Sequence, residues 1–214
     1  MCRRRGFTLV ELLVVVGIIA VLISILMPAL SAAQRQSKTV ACAANLRQIG
    51  MYLLMYANEN RGQMIPVGKD GKHLGGGVAR EERWPTKVFK PPLWNHPLLR
   101  CPADVEPVEE HSYILNVYVL QGDIKFGKTK GMDPARIIVA GEKKSNKADY
   151  HMDLGQFLRD DLVEQYRHGT NVGSNYLYLD GHVAASMPMQ AVLDIEPWNP
   201  MPQTQPDAPR TEPD

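Results

Sequence analysis

The chain has 214 residues, with 24 Lys and Arg against 23 Asp and Glu, for a formal charge of +1. That balance excludes the basic excess of a nucleic-acid-binding domain and the acidic excess of a solvating tail. A hydrophobic content of 44% excludes full disorder, and 3 cysteines are too few for a disulfide-built scaffold.

The apolar residues are concentrated at the N-terminus. Of the 24 positions from Phe7 to Leu30, 19 are hydrophobic and one, Glu11, is charged. As a helix rising about 1.5 Å per residue, this run spans roughly 36 Å, enough for a hydrocarbon core of about 30 Å. A secretory signal peptide has an apolar region of only about 7–15 residues and then a small-residue cleavage site, which this run lacks. Arg3, Arg4 and Arg5 abut the run. The positive-inside rule keeps them cytoplasmic and puts everything after Leu30 beyond the inner membrane. Glu11 is anomalous, because a carboxylate within a membrane segment needs a partner. Cleavage after Gly6 would create one. Phe7 would gain a cationic α-amine, and Glu11 lies at i+4 on the same helical face; the amine of a neighbouring subunit is the other candidate.

The sequence Arg4-Arg5-Gly6 followed by Phe7-Thr8-Leu9-Val10-Glu11 resembles the type IV prepilin processing site. The resemblance covers the short basic leader, the Gly before the cut, the Phe after it and the Glu at the fifth mature position. It implies cleavage after Gly6 by a prepilin peptidase and N-methylation of Phe7. It further implies a helix that is first a membrane anchor, in contact with lipid, and then the core of a filament, with Glu11 as the assembly residue. Pro28 stands where pilin helices often carry a kinking proline.

After Leu30 the chain turns polar, with no Pro or Gly over residues 31–49. Cys42, Leu46, Ile49, Leu53 and Tyr56 form one apolar stripe at helical spacing, and Asn58, Asn60 and Gly62 supply stop signals. The spacing predicts one helix from Phe7 to about Asn60, with its second half covered by a head.

From Arg61 the segments shorten. Gly75-Gly76-Gly77 reads as a loop, since no P-loop Lys-Ser/Thr follows. Residues 112–120 and 137–140 read as strands, and 153–166 as a short helix. Residues 176–179 and 182–185 read as a hairpin about a two-residue Asp180-Gly181 turn with φ > 0 at both positions. The predicted fold is α+β: a long N-terminal helix, membrane-spanning in its first half, and an antiparallel β-sheet head packed on its second half. The organisation is a leader over 1–6, an anchor and assembly helix over 7–30, an amphipathic extension over 31–60, a head over 61–196 and a Pro-rich disordered tail over 197–214.

The head carries a second resemblance. Cys42, Asn45-Leu46-Arg47-Gln48-Ile49-Gly50, Leu99-Arg100-Cys101-Pro102-Ala103-Asp104, Ser112-Tyr113 and Asn175 to Val183 look like the pseudopilins of planctomycetes and related bacteria. That family often ends in a His-x9-Asp-Gly motif. Here His168 and Asp180-Gly181 supply it with two extra intervening residues. The two resemblances imply sister pseudopilins in a helical filament, the inner-membrane assembly platform of a secretion system, and a structural rather than enzymatic role without a cofactor.

Cys2 lies in the leader and is lost on processing, leaving Cys42 and Cys101. A disulfide between them in an oxidising compartment would tie the helix to the head, and two free thiols are the alternative. Among six histidines (His73, His96, His111, His151, His168 and His182) none lies in a His-Glu-x-x-His motif, and no Cys-x-x-Cys pair accompanies them. The rival to a structural subunit is a membrane-anchored periplasmic enzyme whose metal is held by His168, Asp180 and His182. An Asp that makes the turn and histidines that bond loop backbone account for the same residues.

Overall fold

The computed structural model describes residues 8–65, 83–90, 96–116, 133–148, 151–152 and 162–186. The leader with Gly6 and Phe7, the triple-glycine segment and the Pro-rich tail lie outside the described residues.

Helix α1 runs from Leu9 to Glu59, 51 residues without interruption, about 77 Å at the standard rise. It starts two residues later than the apolar run because Thr8 is its N-cap. The Thr8 side chain accepts from the Glu11 backbone N–H, and the Glu11 carboxylate accepts from the Thr8 N–H, a reciprocal capping box. Pro28 lies inside the helix and supplies no N–H to the carbonyl four residues earlier. The helix stops at Asn60, whose side-chain amide donates to the Tyr56 carbonyl at 2.7 Å. Arg61 and Gly62 follow at φ 58 and 82.

Among the described residues the head forms a five-stranded sheet in the order β3-β1-β2-β4-β5. The strands are β1 (Tyr113–Asn116), β2 (Ile138–Glu142), β3 (His151–Met152), β4 (Ser174–Tyr178) and β5 (Val183–Ser186). Four of them pair antiparallel, as predicted, and the two-residue β3 adds to β1 in parallel. Alternation along the strands sorts side chains to two faces. Tyr113, Leu115, Val139 and Leu177 join Cys42, Leu46, Ile49 and Leu53 of α1 in the main core. Ile114, Ile138 and Tyr176 face the other way and pack with Leu162 and Val163. A register shift between Ile138 and Ala140 turns both Val139 and Ala140 toward the helix.

Two predicted elements differ from those observed. The described end of the expected 153–166 helix is not helical. Leu162 and Val163 are buried, and Val163 bridges to Lys143 in antiparallel fashion, so burial against the sheet overrides local helix preference. The hairpin turn has three residues, not two. Gly181 N–H donates to the Tyr178 carbonyl at 2.9 Å, and Tyr178 N–H to the His182 carbonyl at 2.9 Å. Positive φ is confined to Gly181, at 90°. This is the three-residue loop ending in a left-handed glycine, and Asp180 needs no positive φ there.

Candidate functional site: the exposed helix and its attachment to the head

Among the described residues, none buries the apolar half of α1. Every residue from Thr8 to Lys38 is exposed, including Leu9 at 77%, Leu13 at 66% and Ile25 at 69%. Apolar surface on this scale marks contact with lipid or with other proteins. The helix is long and apolar enough to cross a membrane.

Glu11 sits one turn into this segment. Its carboxylate accepts from the Thr8 backbone N–H at 2.8 Å and from the Thr8 hydroxyl at 2.7 Å. The sequence names Thr8 only as part of the processing motif, although Thr8-x-x-Glu11 has capping-box spacing. The Phe7 amine lies outside the described residues.

At Thr39 the helix meets the head. Cys42, Leu46, Ile49, Gly50, Leu53 and Ala57 are its buried residues. Tyr56, expected on the buried stripe, is half-exposed at its edge, and Ala57 takes the inner position. Gly50, which the sequence shows only as the end of the Asn45–Gly50 motif, has a packing role. A Cβ there would stand 2.9 Å from Cδ1 of the buried Leu177, so the missing side chain lets β4 approach the helix.

Three polar contacts and one covalent bond fix the attachment. The Asn45 amide donates to the Arg100 carbonyl at 2.9 Å, and the Asn175 amide to the Thr39 carbonyl at 3.3 Å. The Tyr113 hydroxyl, which burial and secondarily the Glu142 carboxylate push above its ordinary pKa, donates to the Cys42 carbonyl at 3.4 Å. Cys42 and Cys101 are joined in a disulfide with their Cα atoms 4.9 Å apart, across a sequence separation of 59.

The residues of the proposed metal set part company. The His168 ring is buried behind the disulfide, with Nε2 2.8 Å from Glu142 Oε1, 2.8 Å from the Asn175 amide and 4.0 Å from Cys101 Sγ. Asp180 and His182 sit at the exposed hairpin tip. Asp180 Oδ1 accepts from the His182 backbone N–H at 3.0 Å and lies 2.5 Å from its Nδ1, and the His182 ring stacks on Tyr178. Among the described residues His168, Asp180 and His182 do not converge. The four potential ligands that do are Cys42, Cys101, Glu142 and His168, and the two sulfurs there are bonded to each other.

Glu142 is the unpredicted centre of this buried group. It is fully buried and also accepts from the Asn175 backbone N–H at 3.1 Å. Beside it Arg167 reaches Asp104 at 3.1 Å and the Ser145 hydroxyl at 2.8 Å, and donates to the Lys143 carbonyl. These bonds tie β2, the segment before β4 and the Cys101 loop behind the helix attachment. They account for His168 structurally.

A helix exposed and apolar over one half, clamped to a sheet over the other, is an α+β arrangement of pilin-like layout. Comparison with known proteins bears on the N-terminal part of the chain. Residues 1–27 match the prokaryotic N-terminal methylation motif, so the N-terminus is prepilin-like. It is similar to the type IV wide pilus major component PilA4 of Thermus thermophilus, with 38% identity over 60 residues. That match covers 28% of this chain and 46% of the relative, so the chain spans about half the length of the curated protein it matches. No solved structure matches the chain.

Proposed function

We propose that the chain is a structural subunit of a type II secretion pseudopilus or a related type IV filament. A prepilin peptidase cuts after Gly6, and Phe7 is N-methylated. The helix over 7–30 holds the precursor in the inner membrane, with the short N-terminus cytoplasmic and the head periplasmic. Assembly moves the same helix from lipid into a bundle of sister helices on an inner-membrane platform. The observation that carries this reading is the fully exposed apolar half of α1, most of which lies within the matched methylation motif. Lipid and a helix bundle are the two environments that satisfy such a surface.

In the precursor the Glu11 carboxylate is occupied by Thr8, which lowers the cost of holding it in an apolar segment. After cleavage the new amine of Phe7, or of an incoming subunit, competes for the same oxygens. Exchange of a neutral donor for a cation strengthens the contact, since charge-assisted bonds are roughly twice as strong. Mass spectrometry of the mature N-terminus tests the reading. A chain beginning at methylated Phe7 is expected, and Gly6→Ala is expected to leave the leader attached. An intact Met1 on the wild-type chain from membranes refutes it.

A further inference from the structure

The membrane-side edge of the head carries a feature that anchoring and assembly leave unused. A cavity of about 360 Å³ opens where α1 enters the head, lined by Arg35, Lys38, Ala103, Tyr166, Arg167 and His168. Two of its lining side chains are committed internally, Arg167 to Asp104 and His168 to Glu142. The side chains of Arg35 and Lys38 are exposed and make no hydrogen bond or ion pair among the described residues. Tyr166 completes the rim at 48% exposure.

Depth relative to the apolar run gives these residues a partner. Arg35 and Lys38 are the first basic residues after Leu30. They lie about 7.5 Å and about 12 Å beyond it along the helix axis. The polar layer of a bilayer extends roughly 5–7 Å past the hydrocarbon on each side. Side chains on a helix lean toward its N-terminus, here back toward the membrane, and long basic chains reach down to the interface. Both cationic ends are thereby brought to phosphate level, under a tyrosine of the kind enriched at that interface.

We propose that Arg35, Lys38 and Tyr166 form a binding site for the phosphate of an anionic phospholipid headgroup in the leaflet facing the head, occupied while the subunit is stored in the membrane. The site rests on the anchor reading above. It sets the height of the head over the bilayer, and entry into a filament must release the lipid.

The test uses the full chain in vesicles of phosphatidylcholine with or without one part of a headgroup-photoreactive phosphatidylglycerol, followed by peptide mapping. Labelling is expected on the peptides holding residues 35–38 and 166. Arg35→Gln and Lys38→Gln should each lower occupancy about five-fold, the weight of one basic residue at an anionic surface. Arg47→Gln, exposed and three turns further from the membrane on the same helix, should leave it unchanged. Equal labelling by a photoreactive phosphatidylcholine, or labelling indifferent to both substitutions, overturns the proposal. Competition by soluble glycerol phosphate also overturns it, in favour of a free-phosphate site. Alkaline extraction of the same vesicles separates the two readings: a chain retained in the pellet but unlabelled defeats only the headgroup site, whereas a chain released to the supernatant defeats the anchor as well.

Discussion

Removing the Cys42–Cys101 bond has an effect whose size follows from the structure. The bond closes a loop with a sequence separation of 59 between the helix and the segment entering β1. The chain-entropy relation gives about 4 kcal/mol at 25 °C for a loop of that length. The Tyr113 and Asn45 contacts and the stripe from Leu46 to Ala57 survive the change, so the native head should persist but with a lower melting point. For a folded unit of this size each kcal/mol moves the midpoint by roughly 2–4 °C, which predicts a fall of roughly 8–16 °C for Cys42→Ser/Cys101→Ser. Far-ultraviolet circular dichroism is a poor probe, because the apolar half of α1 stays helical in detergent whatever the head does. Near-ultraviolet circular dichroism follows the head itself, where Trp84, Tyr113 and Phe89 are fully buried. Reductant added to the wild-type chain should reproduce the shift and leave the double variant unmoved. A double variant melting within about 2 °C of the oxidised wild type would mean that the bond does not constrain the unfolded chain as the loop length requires.

Other expectations are smaller or more local. Gly181→Ala should cost about 1–2 kcal/mol in denaturant unfolding, wholly through its φ of 90°, because nothing lies within 4 Å of the added Cβ; Gly181→Asn should cost less, since Asn tolerates that region better. His168→Ala strips the buried Glu142 carboxylate of its ring partner and should cost about 3–5 kcal/mol, while the double variant with Glu142→Leu should recover part of that loss; strict additivity of the two substitutions would refute the coupling. Tyr113→Phe should cost about 1 kcal/mol near neutral pH by losing the bond to Cys42. Because burial raises the pKa of Tyr113 in the folded state, its neutral hydroxyl contributes stability below the unfolded value of about 10 that declines as pH rises above it; the Phe variant should lack that component of alkaline destabilisation. Glu11→Ala should be cleaved normally yet fail to enter filaments, which mass spectrometry and sheared-surface fractions report together; normal assembly would remove Glu11 from the mechanism.

The sequence showed what depends on periodicity and missed what depends on meeting at a distance. Nineteen apolar residues in 24 positions announce the anchor, and a stripe from Cys42 to Leu53 announces which face of α1 the head covers. The strands β1, β2, β4 and β5 were legible because β-branched and aromatic runs lie between turn residues. Glu142 was not legible. It stands at the end of an apolar strand as one of 23 acidic residues, and its role exists only because β4 brings Asn175, and the preceding turn His168, beside it. Gly50 was illegible for the same reason, since its lack of a side chain matters only opposite Leu177. The Asp180-Gly181 turn was found but miscounted, because the dipeptide suits two loop lengths and the pairing of Leu177 with Val183 decides between them. The proposed ligand trio failed on distance in the fold: His168 is anchored to the sheet interior and Asp180 to the tip of a hairpin.

One covalent and mechanical consequence joins the two halves of the molecule. Between Leu30 and Thr39 the helix contains no Gly or Pro and its residues up to Lys38 are exposed, so the gap between the apolar run and the head is set by helix rise, about 13 Å. A flexible tether of the same length would let the head wander, whereas a continuous helix transmits both height and rotation. The disulfide sits at Cys42, one turn above the point where the head begins, and Asn175 bonds the Thr39 carbonyl one turn below. The clamp is thus placed at the membrane-proximal end of the contact, where leverage from the long exposed arm is greatest. Rotation of the exposed half of the helix, in lipid or in the proposed bundle, would turn the head with it. If the chain enters a filament as proposed, that rigidity would make the position of Glu11 along the bundle determine the position of the head on the surface.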